Sequence, residues 1–263
     1  MPIDWLMEYW QAKSDSVLPF LADRPVGMEL KFKHRTIFRR RQKGGDFIYI
    51  ETPSDITYWA RQHCYSFHPH LEDGFLYFIL DIDRRDVEVP LSLAGVAAAE
   101  MARLLDELKV GYSLKFSGRR GFHFYWGFDR QEAREAGGGE PWPFLRRVIV
   151  YLRDRLEERL QAGKHRDEFY RYLDEGDPIT LTNSAETRYR HSLLLDENIV
   201  HLNGSMRSPW SVHPESELVS LPLEPDELEG FQEGDATPQK ALERSGPTEV
   251  PRNEVGQLLK LLE

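Results

Sequence analysis

Cysteine is nearly absent from this chain: Cys64 is the only one in 263 residues, which excludes an internal disulfide and any zinc site built from several cysteines. It lies in a mixed apolar stretch, where a buried structural thiol fits better than a nucleophile. Long apolar runs are missing as well. No segment approaches the roughly 20 residues needed to span a bilayer. The start, Met1-Pro2-Ile3-Asp4, lacks the basic region and apolar stretch of a leader. The expected partners therefore include no membrane, and the expected location is cytoplasmic. Net positive charge is lacking too: the formal charge is −10, which on average argues against a phosphate-rich partner. The hydrophobic fraction of 40% is ample for the core of one large domain or two small ones.

The average charge hides an uneven distribution. From Glu215 to Glu263 there are 12 acidic and 4 basic residues, a net of −8, which leaves only −2 for the first 214. Within those, Lys31, Lys33, Arg35, Arg39, Arg40, Arg41 and Lys43 place seven cations in thirteen positions. Several alternate with Leu30, Phe32, Ile37 and Phe38, which predicts a hairpin with one buried face and one strongly basic face. Such a face could follow a phosphate backbone; a solubilising edge strand would carry the same residues.

Apolar periodicity and turn residues organise the rest. A helix is expected over 2–23 and a hairpin over 28–50 turning at Gly44-Gly45, and a second helix opens at Pro53-Ser54-Asp55. Strands are expected at 64–70, 75–82, 112–116, 122–126, 189–196 and 217–222, with helices at 91–109 and 141–162. Residues 1–230 read as one domain. The polar, Pro- and Gly-containing stretch 231–251 reads as an acidic linker, and 252–263 as a short C-terminal helix.

Three segments carry chemistry. In Leu76-Tyr77-Phe78-Ile79-Leu80-Asp81-Ile82-Asp83 an apolar strand delivers two aspartates two positions apart, so both carboxylates share a face. Side by side they repel unless a cation lies between them, and a hard divalent ion with oxygen ligands is the usual solution. The alternative is a strand-end turn with Arg84, Arg85 and Asp86 in solvated ion pairs. The loop Ser117-Gly-Arg-Arg-Gly-Phe-His123 combines glycines, a hydroxyl, two guanidiniums and an imidazole, a donor set suited to a triphosphate. A surface turn and a satisfied core histidine are its ordinary readings. In Ser192-Leu-Leu-Leu-Asp196 another apolar strand ends in a carboxylate, followed by Arg207 and His213. Taken alone, Asp196 reads as a turn residue; brought near the other two, it would complete a two-ion site for phosphoryl displacement.

In this order the segments resemble the motifs of the archaeo-eukaryotic primase superfamily: apolar-Asp-x-Asp, Ser-Gly-Arg-Arg-Gly-x-His, then an apolar strand ending in Asp. Ser208-Pro-Trp-Ser-Val-His213-Pro is similar to a run of the eukaryotic primase small subunit. Asp23-Arg24-Pro25-Val26 and Phe67-His68-Pro69-His70 are similar, more weakly, to the polymerase domains attached to bacterial end-joining ligases.

The resemblance implies an α+β fold, a primase catalytic core with a mixed sheet like that of RNA-recognition motifs, flanked by helices. It also implies nucleotidyl transfer onto a 3′ hydroxyl with release of pyrophosphate. Asp81, Asp83 and Asp196 would hold two Mg²⁺ or Mn²⁺ ions. Ser117, Arg120, His123, Arg207 and His213, with Arg119 and His68 as lesser candidates, would bind an incoming NTP or dNTP. Lys31, Lys33, Arg35, Arg39 and Arg41 would contact a single-stranded or primed DNA template, with a nucleoid association if the source is prokaryotic.

One departure is the zinc knob of replicative small subunits, which a single cysteine cannot build, so no zinc is expected and the chain looks like a compact primase-polymerase. The acidic end could attach a larger primase subunit, a ligase or a helicase, or could be solvated chain. Two other classes remain open: a non-catalytic nucleic-acid-binding subunit, whose mark would be a lost carboxylate, and a metal-dependent nuclease, which gives no reason for a triphosphate loop.

Overall fold

Two antiparallel sheets carry the computed structural model of the chain, which describes residues 4–33, 35–72, 75–85, 88–172, 179–181, 193–247 and 249–262. The first sheet has the order β2-β1-β3, with β1 Val26–Phe32, β2 Arg35–Arg39 and β3 Cys64–Pro69. The second has the order β7-β4-β6-β5-β8, with β4 Leu76–Arg84, β5 Ser113–Phe116, β6 Gly121–Phe128, β7 Leu193–Leu195 and β8 Pro222–Leu223. The helices are α1 Asp4–Leu21, α2 Pro53–Arg61, α3 Leu91–Glu107, α4 Arg130–Ala136, α5 Trp142–Ala162, α6 Arg166–Phe169, α7 Pro238–Leu242 and α8 Val255–Leu259. The α+β class expected from the sequence holds.

β4 and β6 form the spine of the larger sheet, paired from Leu76 opposite Phe128 to Asp83 opposite Gly121. Every residue of β6 is buried, as the nearly continuous apolar runs of both strands require. One face is covered by α3, which presents Ala94, Ala97, Ala98 and Ala102 and so approaches β4 and β6 closely while packing against α5. α1 lies on the smaller sheet, where the Trp10 indole donates to Cys64 O at 3.0 Å and the Tyr9 hydroxyl to Trp210 O at 2.7 Å. Cys64 is buried as expected, and burial pushes its thiol well up. α2 opens at Pro53 with a capping box between Thr52 and Asp55, an interaction of about 1 kcal/mol.

Several expectations are corrected. The β1–β2 reversal follows Phe32, which stands opposite Arg35, whereas Gly44-Gly45 closes a smaller turn in which Gln42 N donates to Asp46 O at 2.8 Å. The hairpin is only partly covered: Leu30 is 5% exposed, but Phe32 at the end of β1 and Phe38 on β2 are 40% and 42% exposed. The strand expected at 75–82 runs on to Arg84, because β6 and β7 supply partners for Asp83 and Arg84. The strand expected at 217–222 reaches the sheet only at Pro222–Leu223, an edge position where the missing proline N–H costs no ladder bond. Of the strand expected at 189–196, residues 189–192 lie outside the described residues, and the periodicity gave no sign of α4 or α6.

The stretch 231–251 is not a free linker. Ala236 and Ala241 are wholly buried, Ala236 O accepts from Val219 N at 2.7 Å, and the buried Lys13 amine donates to Arg244 O at 2.6 Å. Polar composition hid these docking points because they are two small alanines and backbone groups. Beyond it α8 packs by Val255 and Leu258, and the Gln257 side chain donates to Leu108 O and Lys109 O at 3.0 and 2.9 Å. No described helix is long and apolar enough to cross a membrane.

Candidate active site

The β4–β6 register sets Asp81 opposite His123 and Asp83 opposite Gly121. Because alternate residues share a face, ligand atoms of Asp81, Asp83 and His123 all fall within 4.8 Å of one another. On its other edge β4 pairs with β7, Ile82 opposite Leu195, so that Asp196 N donates to Asp81 O at 3.1 Å. Asp196 thus arrives beside the pair, yet its Oδ1 accepts from Asn198 N at 2.9 Å and it stays outside the tight group. The third close member is His123, which the sequence had assigned to the phosphates.

Asp83 is buried and Asp81 half-buried, and each keeps one oxygen that the described residues leave unsatisfied. Burial and then the nearby Asp196 charge push Asp81 up to about 6. Burial and then Asp81 push Asp83 up to about 7, and Arg120 Nη2, 2.8 Å from Asp83 Oδ2, offsets only part of this. Oδ1 of each is buried without a hydrogen-bond partner. Two orphaned carboxylate oxygens on one face are the donor set of a hard divalent cation, so the residues fit such an ion. Gly121 permits the arrangement: a Cβ there would stand 1.9 Å from Ile82 O and 2.8 Å from Asp83 Oδ1.

The loop between β5 and β6 is held by its own serine. Ser117 N donates to Gly121 O at 2.8 Å, and its Oγ accepts from Gly121 N at 3.1 Å and Arg120 N at 3.3 Å. Gly118 has φ +93°, and a Cβ there would press on His213 Cβ and Leu218 O, both at 3.2 Å. Arg207 reaches the same loop, donating from Nη1 to Ser117 O at 3.3 Å, from Nε to Ser66 Oγ at 3.0 Å and from Nη2 to Glu29 Oε2 at 2.7 Å. His68 Nε2 lies 3.1 Å from Glu29 Oε2 and 2.9 Å from Ser66 Oγ. Burial would raise Glu29, but His68 and Arg207 outweigh it and hold the carboxyl well below the usual range. His213 Nδ1 accepts from Glu215 N at 3.1 Å, and burial followed by the Arg207 charge pushes the ring down to about 3. Arg119 points elsewhere, paired with Glu215.

Four polar residues of this region escaped the sequence reading: Glu29, Ser66, Lys115 and Ser220. Lys115 is fully buried, with Nζ 2.8 Å from His123 Nδ1 and donating to Ser220 Oγ at 3.0 Å. Burial and then the Arg207 charge push it down to about 7. Its signal was present as a lone lysine in an apolar strand, in phase with Ser113 and Ser117.

The basic hairpin is partly neutralised and partly stacked. Lys31 Nζ lies 2.7 Å from Glu217 Oε1, Arg41 lies 3.9 Å over the Phe47 ring and Arg39 5.7 Å over Trp59. Lys33 and Arg35 are exposed.

Residues 28–249 match the family described as LigD, primase-polymerase domain. Among solved structures, the polymerase domain of Mycobacterium tuberculosis ligase D in complex with DNA is similar, with 15% identity, a TM-score of 0.66, and coverage of 91% of this chain and 86% of that one. At that identity the likeness is one of fold. No curated protein matches the chain. By the span of that family match, the chain belongs to the LigD primase-polymerase domain family, within the archaeo-eukaryotic primase superfamily that its motifs resemble.

Proposed function

We propose that the protein is a template-dependent nucleotidyltransferase that joins an NTP or dNTP to a 3′ hydroxyl. The observation that carries this reading is the pair of orphaned, buried carboxylate oxygens of Asp81 and Asp83, one strand away from the Ser117–Gly121 loop. A non-catalytic binding subunit would have no use for two buried carboxylates that weaken its own fold. Asp81, Asp83 and, beside them, Asp196 would hold divalent ions, Mg²⁺ or Mn²⁺. Such ions, when bound, supply Lewis acidity toward the attacking hydroxyl and the leaving pyrophosphate.

The chain's own groups do the rest. Arg120 and Arg207 supply positive charge beside the Ser117–Gly121 loop, on which a triphosphate would settle. His68 and His213, neutral within their hydrogen bonds, line that rim without adding charge. Glu29 anchors Arg207, so the guanidinium meets a phosphate in a set orientation and not as a mobile charge. Lys33 and Arg35, with the aromatic-stacked arginines of the hairpin, offer a backbone-following surface for single-stranded or primed DNA; the similar ligase D structure holds DNA.

The test is incorporation of labelled nucleotide on single-stranded templates with and without a primer, with Mg²⁺ or Mn²⁺ and each sugar type. Asp81→Ala/Asp83→Ala serves as the control. Extension that vanishes in the control supports the reading, and product without a primer adds priming to it. A folded wild-type protein that binds DNA but incorporates nothing under any of these conditions would overturn it in favour of the binding subunit.

A further inference from the structure

The smaller sheet has two unlike faces. Residues set opposite each other in an antiparallel ladder point the same way, so Phe38 shares a face with Glu29, and there its ring meets His68 edge-on with centroids 5.1 Å apart. This is the face that Arg207 reaches through Glu29. Arg35, Ile37 and Arg39 stand opposite Phe32, Leu30 and Met28 and point to the other side, away from the candidate active site.

On that far side the sheet, α2 and the stretch 42–49 enclose a cleft of about 670 Å³. Its floor is the buried Leu30 and Ile48. Its walls are aromatic: Tyr49 and Tyr58 are 49% and 55% exposed, Phe32 stands beside them, and half-buried Trp59 carries the Arg39 guanidinium 5.7 Å above its ring. We propose that this cleft binds unpaired bases of a single strand of nucleic acid, with Tyr49 and Tyr58 stacking on bases while Arg39 and Lys43 meet phosphates. The inference shares with the nucleotidyltransferase reading only its nucleic-acid partner and draws nothing from the chemistry at Asp81 and Asp83.

Charge selects the partner. In a chain of net charge −10, the cleft is lined by two cations, Arg39 and Lys43, and neither has an acidic partner among the described residues. Its one lining carboxylate, Asp55, is committed to the start of α2, where Oδ2 accepts from Glu51 N at 3.1 Å and from Thr52 N and Oγ at 2.9 Å each. Open aromatic rings interleaved with free cations are the composition on which bases stack while the backbone is neutralised. An acidic peptide would use the charges but not the rings. The cleft is also continuous with the hairpin tip: Phe32 lies opposite Arg35 and is followed by Lys33, both exposed. A strand running along those two cations enters the cleft beside the Phe32 ring.

The experiment is fluorescence anisotropy of the full chain with labelled oligothymidylate, in chelator, beside a strand of equal length carrying abasic sites in place of bases. The wild type should prefer the strand with bases. Tyr49→Ala with Tyr58→Ala should weaken that binding roughly 5-fold or more for each ring, leaving the abasic strand and the slope of log affinity against log salt unchanged. Arg39→Gln with Lys43→Gln should lower the slope by about 1.4, two contacts at about 0.7 each. Photocrosslinking of a strand carrying 5-iododeoxyuridine should attach to Tyr49, Tyr58 or Phe32. Equal affinity of the wild type for the two strands overturns the proposal, as does an equal loss of both strands in the tyrosine variant. Crosslinks confined to the Phe38 face, with the tyrosine variant binding as tightly as wild type, overturn it as well. Polyglutamate that binds the wild type and not the tyrosine variant, where oligothymidylate does not discriminate them, would make the cleft a site for an acidic peptide instead. A protein that incorporates no nucleotide fails the transferase reading while these measurements still decide the cleft, and one that incorporates nucleotide without a preference for bases here fails the cleft alone.

Discussion

Asp83→Asn should make the metal-free protein more stable while removing its response to metal. The folded protein holds this carboxyl at about 7, against about 3.9 for a free aspartate. Below about pH 4 the group is protonated in both folded and unfolded chains, and its contribution is fully present. As pH rises the unfolded chain gives up the proton first, so stability falls until the folded group also ionises near 7, and is flat above that. About three units at 1.36 kcal/mol each make about 4 kcal/mol of lost stability. The isosteric amide never ionises and escapes the loss. Its own cost is the contact with Arg120, whose side chain is 46% exposed, worth at most about 1 kcal/mol.

The expected gain in chelator is therefore about 2–4 kcal/mol at pH 8 and close to zero at pH 4. Urea unfolding at pH 4, 5.5, 7 and 8 measures it, and the difference between variant and wild type cancels the titration of the acidic C-terminal part. Mn²⁺ should then restore the wild type at pH 8 by mass action and leave the variant unmoved. A variant less stable than wild type at pH 8 in chelator, or a difference that does not change with pH, would refute the account of Asp83 as a buried, uncompensated carboxyl.

Gly121→Ala should cost about 1–3 kcal/mol of stability in thermal or urea unfolding, because its Cβ meets Ile82 O at 1.9 Å. It should also blunt Mn²⁺ stabilisation by displacing Asp83. Lys13→Met leaves Arg244 O without its donor and removes the amine 4.1 Å above the Trp210 ring. A loss of about 1–3 kcal/mol and faster amide exchange confined to 237–247 are expected, and uniform exchange across the chain would contradict the docking role. Lys33→Ala with Arg35→Ala should weaken single-stranded DNA binding and lower the slope of log affinity against log salt by about 1.4, two contacts at about 0.7 each. Lys31→Ala, already paired with Glu217 at 2.7 Å, should change that slope less.

Much of the site was legible in the chain because its signals are local. A period of two tells that Asp81 and Asp83 share a face and that His123 points away from Phe122 and Phe124, whereas the Ser117 hydroxyl, read as a donor to phosphate, accepts from the amides of its own loop. A proline followed by Ser-Asp marks where α2 opens. What no local pattern contains is which strand lies beside which. The β4–β6 register put His123, and not Asp196, into the tight group with the two aspartates. The β5–β6 register put Lys115 behind that histidine. The smaller sheet brought Glu29 to Arg207 across 178 residues. The segment read as a linker is ordered by two alanines and a few backbone groups, contacts too small to raise a hydropathy signal. Sequence by itself determined the types of the longer elements and, for the strands of the site, the chemistry and the face on which it appears, since those follow from backbone geometry and side-chain character; the short helices α4, α6 and α7 it did not mark. Tertiary structure alone decided the partners, the burial and hence the perturbed charges, because desolvation and Coulomb interaction depend on neighbours that long-range pairing, not chain order, supplies.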